Sequence, residues 1–143
     1  MDGLSLMTEK PLPKPLAIVI CDTIIDDRST SKKTLVGTFN QIGASALPCQ
    51  HGEFHVYAAL TDGHGSYASK LVIHHRESGR TVFGMQGPIA FTDPKQVVEL
   101  TFVLKRVVFP VEGAYDIELL CDERHVIARS LSVSLVASSP AVS

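Results

Sequence analysis

A chain of 143 residues fits one domain, and at that length folding buries roughly 70% of the unfolded surface without disulfide or metal staples. Thirteen Lys and Arg against fifteen Asp and Glu, a net charge of -2, argue against the clustered basic surface that nucleic-acid binding needs. Three cysteines, Cys21, Cys49 and Cys121, with no C-x-x-C spacing, argue against a secreted disulfide framework and for a reducing, cytoplasmic compartment.

Residues 1–15 read as a proline-rich arm. Pro11, Pro13 and Pro15 each fix their own φ and push the preceding residue out of the helical region, so the segment is an extended spacer. The apolar run from Leu16 to Cys21 is too short for a signal-peptide core or a membrane span, and no membrane partner is expected. Because every position in it is apolar, the first strand, Leu16 to Asp22, should be central or covered on both faces.

Further strands are predicted over Thr34 to Ile42, Phe54 to Thr61, Tyr67 to Arg76, Arg80 to Met85, Val97 to Phe109, Ala114 to Leu120 and His125 to Leu135. Polar or glycine-rich turns separate them: Asp26 to Lys33, Asp62 to Ser66, Glu77 to Arg80 and Thr92 to Lys95. Val98, Leu100, Phe102 and Leu104 alternate with Glu99, Thr101, Val103 and Lys105, the period of a strand with one buried face. Tyr115, Ile117 and Leu119 repeat that pattern inward. In the last strand Val126 and Ala128 fall in one phase and Leu131, Val133 and Leu135 in the other, which predicts a β-bulge near Arg129 and Ser130. Residues 137–143 read as a flexible tail.

Seven or eight short strands with no helical pattern between them predict an all-β fold. It is an antiparallel two-sheet β-sandwich with an immunoglobulin-like Greek key, spanning residues 16–136. Tyr115, just after Gly113, is placed either to bond the preceding backbone as a tyrosine corner does, or to serve as a plain half-buried aromatic.

The strands Ala17 to Asp22, Leu35 to Ile42 and Phe54 to Thr61, and the ending Gly113 to Asp122 with Ile127, Ala128 and Leu131 to Val133, resemble a family of small, functionally uncharacterised bacterial proteins. Those proteins are predicted to be immunoglobulin-like β-sandwiches. The resemblance implies the fold, a bacterial source and an unassigned role, and carries over no catalytic or ligand residue.

Six histidines invite a search for metal, because imidazole is a common ligand. Cys49, His51 and His55 lie within seven residues. On a regular strand, positions 51 and 55 share a face with ends about 13 Å apart. One ion cannot be held by both unless the chain turns at Gly52, with His64 arriving from the next turn. The simpler reading is solvent-facing histidines with no metal and no cofactor. Asp22, Asp26 and Asp27, with Asp62 or Asp122, offer calcium-type oxygens, but Arg28, Lys32 and Lys33 offset the charge and a solvated turn explains them. His64-Gly65-Ser66-Tyr67-Ala68 lacks both glycines of a nucleophile elbow. Cys49 beside imidazoles matters only if its thiol is exposed and acidic.

The sequence therefore reads as a non-enzymatic interaction or self-assembly module whose partner is a protein or a second copy in a homodimer. It would act through a sheet face or a strand edge. Tyr57 and Ala59 on the third predicted strand and Val103 on the long strand are the candidate surface positions. The alternative is a metal- or small-ligand-binding domain using Cys49, His51, His55 and His64.

Overall fold

The computed structural model describes residues 10–136, so residues 1–9 of the expected arm and the expected tail at 137–143 lie outside the described residues. Nine strands are present among them: β1 (Lys14–Asp27), β2 (Lys32–Thr38), β3 (Gln41–Ala44), β4 (Cys49–Thr61), β5 (Gly65–His75), β6 (Thr81–Phe91), β7 (Val98–Phe109), β8 (Gly113–Cys121) and β9 (Arg124–Leu135). They form a four-stranded sheet in the order β2-β1-β4-β7 and a five-stranded sheet in the order β3-β9-β8-β5-β6. The fold is an immunoglobulin-like β-sandwich. Phe54, Val56, Leu60 and Leu104 from one sheet meet Leu71, Ile73, Ile117 and Leu131 from the other, all fully buried. Each such side chain contributes about 1.5–3 kcal/mol on leaving water.

Two corrections concern strand number and direction. The predicted strand from Thr34 to Ile42 is two strands in different sheets. The Phe39 N–H donates to the Ile20 carbonyl of the first sheet at 3.1 Å, and the next residue's carbonyl, that of Asn40, accepts from Ser132 N–H of the second at 2.9 Å. The chain crosses between the sheets there, which raises the count to nine. It also delivers β3 parallel to β9, so the sandwich is not wholly antiparallel. Alternating apolar residues on both sides of the crossing hid it, because each half keeps period two.

The first strand is central, paired with β2 on one side and β4 on the other. It begins at Lys14, and a register shift between Pro15 and Ala17 leaves Leu16 half exposed. The bulge of the last strand falls at Val126, where the pairing passes from Leu119 with Ile127 to Leu120 with His125, and not at Arg129 and Ser130. Arg129 stays in phase with the buried Leu131 because its guanidinium donates to the Ile18 carbonyl at 3.2 Å across the sandwich. A long cation can occupy an inward position at an open edge when its head finds an acceptor.

Both expectations for Tyr115 are now resolved in favour of the corner. Its ring is fully buried and its hydroxyl donates to the Val111 carbonyl at 2.6 Å, pinning the β7–β8 connection. The neighbouring His75 is a second lock. Its Nδ1 accepts from Ser78 N–H at 3.3 Å, its Nε2 meets the Glu112 carbonyl at 3.1 Å, and its ring stands edge-on to Tyr115 at 5.1 Å. A Cβ at Gly113, where φ is +131°, would lie 2.7 Å from His75 Nε2, so only glycine fits that turn.

The described part of the arm packs on the sandwich. Pro13 is buried, Leu12 packs on the core, and the Pro11 carbonyl accepts from the Tyr67 hydroxyl at 2.8 Å.

Candidate functional site

The residues expected to gather around a metal are dispersed. At Gly52 the inward phase of β4 changes, matched across the ladder by Arg106 of β7 with φ +57°. Phe54 and Leu104 face the core on one side of that point, and His51, Val107 and Phe109 on the other. His51 and His55 therefore point to opposite faces, which corrects the expectation that they share one. The His51 ring packs tilted against Phe39 at 5.8 Å and edge-on to Phe54 at 5.3 Å. With Cys49 it lines a cleft of about 350 Å³ completed by Asp22, Phe39, Gln41, Ile42 and Gly43.

His55 is committed elsewhere. Where β1 leaves β4, the Ile24 N–H donates to His55 Nδ1 at 2.9 Å, and His55 Nε2 bonds Glu53 at 3.0 Å. An imidazole that accepts at Nδ1 carries its proton at Nε2, so both nitrogens are occupied. His64 lies beyond the far end of β4, a strand of 13 residues and so roughly 40 Å long. There its N–H donates to the Tyr67 hydroxyl at 2.8 Å. Among the described residues, no group of three or more His, Cys, Asp or Glu side chains is arranged to hold a metal ion.

The aspartates are divided in the same way. Asp26 pairs with Lys33 at 3.5 Å. Asp27 accepts from Ser29 N–H at 2.9 Å and from its hydroxyl at 2.7 Å, bonds that hold its carboxyl below the usual carboxylate range. Asp122, at the opposite end, accepts from Ala68 N–H at 2.9 Å. Ser66 is engaged through its carbonyl by Lys10. Cys49 is half-buried, whereas Cys21 and Cys121 are buried. Burial pushes the Cys21 thiol up and the Cys121 thiol up to about 11.

What the structure does bring together is the outer face of the four-stranded sheet. Directly paired residues share a face, so the register gives its rows. One runs Thr38, Cys21, His55, Val103, and the next runs Val19, Tyr57, Thr101. Ala17 and Ala59 follow on one side, and the pairs Thr23 with Val36 and Ile25 with Thr34 on the other. None of these side chains is a carboxylate, a lysine or an arginine, and His55 is the one imidazole among them. Val36 and Val103 are each 41% exposed and Ile25 53%. Charge stands at the margin: Glu99 opposite Ala59, and Glu53 opposite Lys105. The Tyr57 hydroxyl donates to Glu99. Burial, and then that bond, push the Tyr57 phenol up to about 12.

The outer face of the five-stranded sheet is the opposite in character. Arg76 grips Asp116 through Nε at 3.0 Å and Nη2 at 2.6 Å, and the same Nη2 reaches Ser130 at 3.1 Å. His125 Nδ1 meets Glu118 at 2.6 Å, with His74 between the two carboxylates at 3.8 and 4.0 Å. The bond from Arg76 holds the Asp116 carboxyl below its ordinary value.

Sequence reasoning chose Tyr57 and Ala59 on the outer face of the third predicted strand and Val103 on the long strand as surface positions. The register brings the three to one face, but there Val103 is 41% exposed, Tyr57 is half-buried and Ala59, contrary to that expectation, is buried. Sequence reasoning missed Cys21, Val19 and Val36 as their neighbours, because an unbroken apolar run does not reveal which residues turn outward. No helix among the described residues is long and apolar enough to cross a membrane.

No curated protein matches the chain. Among solved structures, it is similar to a β-D-glucoside glucohydrolase from Trichoderma reesei at 15% identity and TM-score 0.43, covering 86% of this chain and 19% of that one. It is also similar to the CARDB domain of a Pyrococcus furiosus protein, solved in complex with di-metal ions, at 18% identity and TM-score 0.38, covering 87% of this chain and 94% of that one. This chain thus spans about a fifth of the length of the glucohydrolase. Residues 16–134 match the group described as "Family of unknown function (DUF6941)", and the chain belongs to that family.

Proposed function

We propose that this protein is a non-enzymatic interaction module that works by burying the outer face of its four-stranded sheet against a second copy of itself, as a cytoplasmic homodimer. The observation that supports it is the contrast between the two outer faces. One is uncharged across its centre with Glu53, Glu99 and Lys105 at its margin, and the other is laced with ion pairs. An apolar centre with a charged rim is the composition of a contact surface. Three free thiols support a reducing compartment, and the family resemblance supports a bacterial source.

The test is sedimentation velocity on tag-free protein across the micromolar range, with metal content measured on the same sample. A metal-free dimer is the expected result, and a monomer throughout would sink the reading. The cleft lined by Phe39, Cys49 and His51 supports a second reading, a small-ligand site. Stoichiometric metal or a ligand retained through purification would favour it.

A further inference from the structure

We infer that the two copies pack face to face about a two-fold axis that crosses the strands between Thr101 and Val103, so that Glu99 of each copy meets Lys105 of the other. This rests on the homodimer reading above and adds the arrangement.

The outward positions of β7 are Glu99, Thr101, Val103 and Lys105 in order. The acidic and basic residues stand at opposite ends of this series, about 20 Å apart at the usual rise, with the two uncharged residues midway. Among the described residues Lys105 has no carboxylate within ion-pair distance, and Glu99 has no cation, its partner being the Tyr57 hydroxyl. A two-fold axis across the strands at the midpoint lays β7 antiparallel on the β7 of the second copy and superposes each unpaired charge on its opposite. Other placements of the axis lose this match. An axis perpendicular to the sheet leaves both outer faces on the same side and brings no face together.

The same axis suits the rest of the face. It runs between the row Thr38, Cys21, His55, Val103 and the row Val19, Tyr57, Thr101, so each row packs on the other row of the second copy. Exposed Val103 then lies against Thr101 and the Tyr57 ring. The rows that meet are three strands wide, since β2 joins the face only from Thr38 onward. At about 4.8 Å spacing and about 20 Å of length they give on the order of 300 Å² per copy, about 600 Å² in the pair. That is the size of a weak, transient contact, the regime where two rim ion pairs decide register and partner.

The experiment is sedimentation velocity at low salt on the full chain and on Val103→Glu, Glu99→Lys and Lys105→Glu, with circular dichroism confirming the fold of each. All three positions are at the surface, so folding should survive. Val103→Glu is expected to abolish association. Glu99→Lys and Lys105→Glu are each expected to weaken self-association by at least about tenfold, because each places like charges at both contacts. An equimolar mixture of those two variants should recover dimer within about threefold of the parent, because both contacts are again opposite in sign. If Val103→Glu dissociates the dimer but the charge variants associate normally, or their mixture does not recover, this arrangement is overturned and the face remains the interface. If Val103→Glu leaves the dimer intact, or the parent is monomeric, the homodimer reading fails and takes the arrangement with it.

Discussion

Ile24 donates its backbone N–H to Nδ1 of His55 at 2.9 Å, so a side chain takes the place of a ladder carbonyl where β1 parts from β4. Backbone donors inside a sheet must be paired, and leaving one buried and unmet costs about 1–3 kcal/mol. His55→Ala should lower stability by about that amount, measured by urea unfolding. His55→Asn, which retains an acceptor, should lose less. Hydrogen exchange at the Ile24 amide gives the specific readout: accelerated exchange in the alanine variant supports the bond, and unchanged protection refutes it.

The tyrosine corner makes a second prediction. Tyr115→Phe keeps the buried ring and its packing on Phe109, whose centroid is 5.1 Å away, and removes only the hydroxyl that reaches Val111. Leaving that carbonyl unmet should cost about 1–2 kcal/mol. Thermal unfolding of the two proteins checks it, and equal stabilities would show that the ring alone does the pinning.

The three thiols should divide two against one. Cys49 is half-buried and Cys21 and Cys121 are buried, the latter with its thiol pushed up to about 11 by burial. Since the thiolate is the reactive form, a disulfide reagent at pH 8 should modify one thiol per native chain, Cys49, and three in denaturant. Rapid modification of Cys21 in the native protein would show that the outer sheet face opens.

Tyr57 supplies a prediction in pH. A tyrosine is neutral below its pKa, and in the fold Tyr57 is raised from 10.0 to about 12. Its contribution to stability is therefore complete below about pH 10 and is lost as pH climbs towards 12. Absorbance titration should show two of the three tyrosines ionising late, Tyr57 and the buried Tyr115, whose phenol burial also pushes up. Glu99→Gln should bring the Tyr57 transition down by removing the carboxylate charge and leaving only an amide oxygen, a weaker acceptor, for the phenol, though burial, the larger cause, remains. A transition unmoved by the substitution would place the whole effect in burial.

The parts of the fold legible in the sequence are those in which period-two patterning is uninterrupted. Val98 to Lys105 and Tyr115 to Leu119 keep one phase throughout, and their inward residues are Phe102, Leu104, Ile117 and Leu119, all buried. Patterning fails where the backbone changes sides without a break in hydrophobicity. The Phe39–Asn40 crossing separates two sheets, and the phase change at Gly52 and Arg106 sends His51 and His55 apart. Neither event alters composition, so a metal cluster that looks plausible along the chain dissolves in space. The tyrosine corner was visible because a local turn, Gly113, sets it. The Ile24 and His55 bond was not, because its two members are joined only by sheet register.

Arg106 bears on how far association can go. Its left-handed backbone kinks β7, an outermost strand whose second side is unpaired, and Pro88 on β6 removes a donor from the corresponding border of the other sheet. A kinked strand and a missing N–H are poor templates for adding another strand. Growth by continuous sheet extension is thereby discouraged along the β7 and β6 edges, two of the four that the sheets present. In the proposed homodimer, a face that meets its own copy is used up by a single encounter, so that assembly would close at two chains and offer no second copy of the face from which a filament could grow.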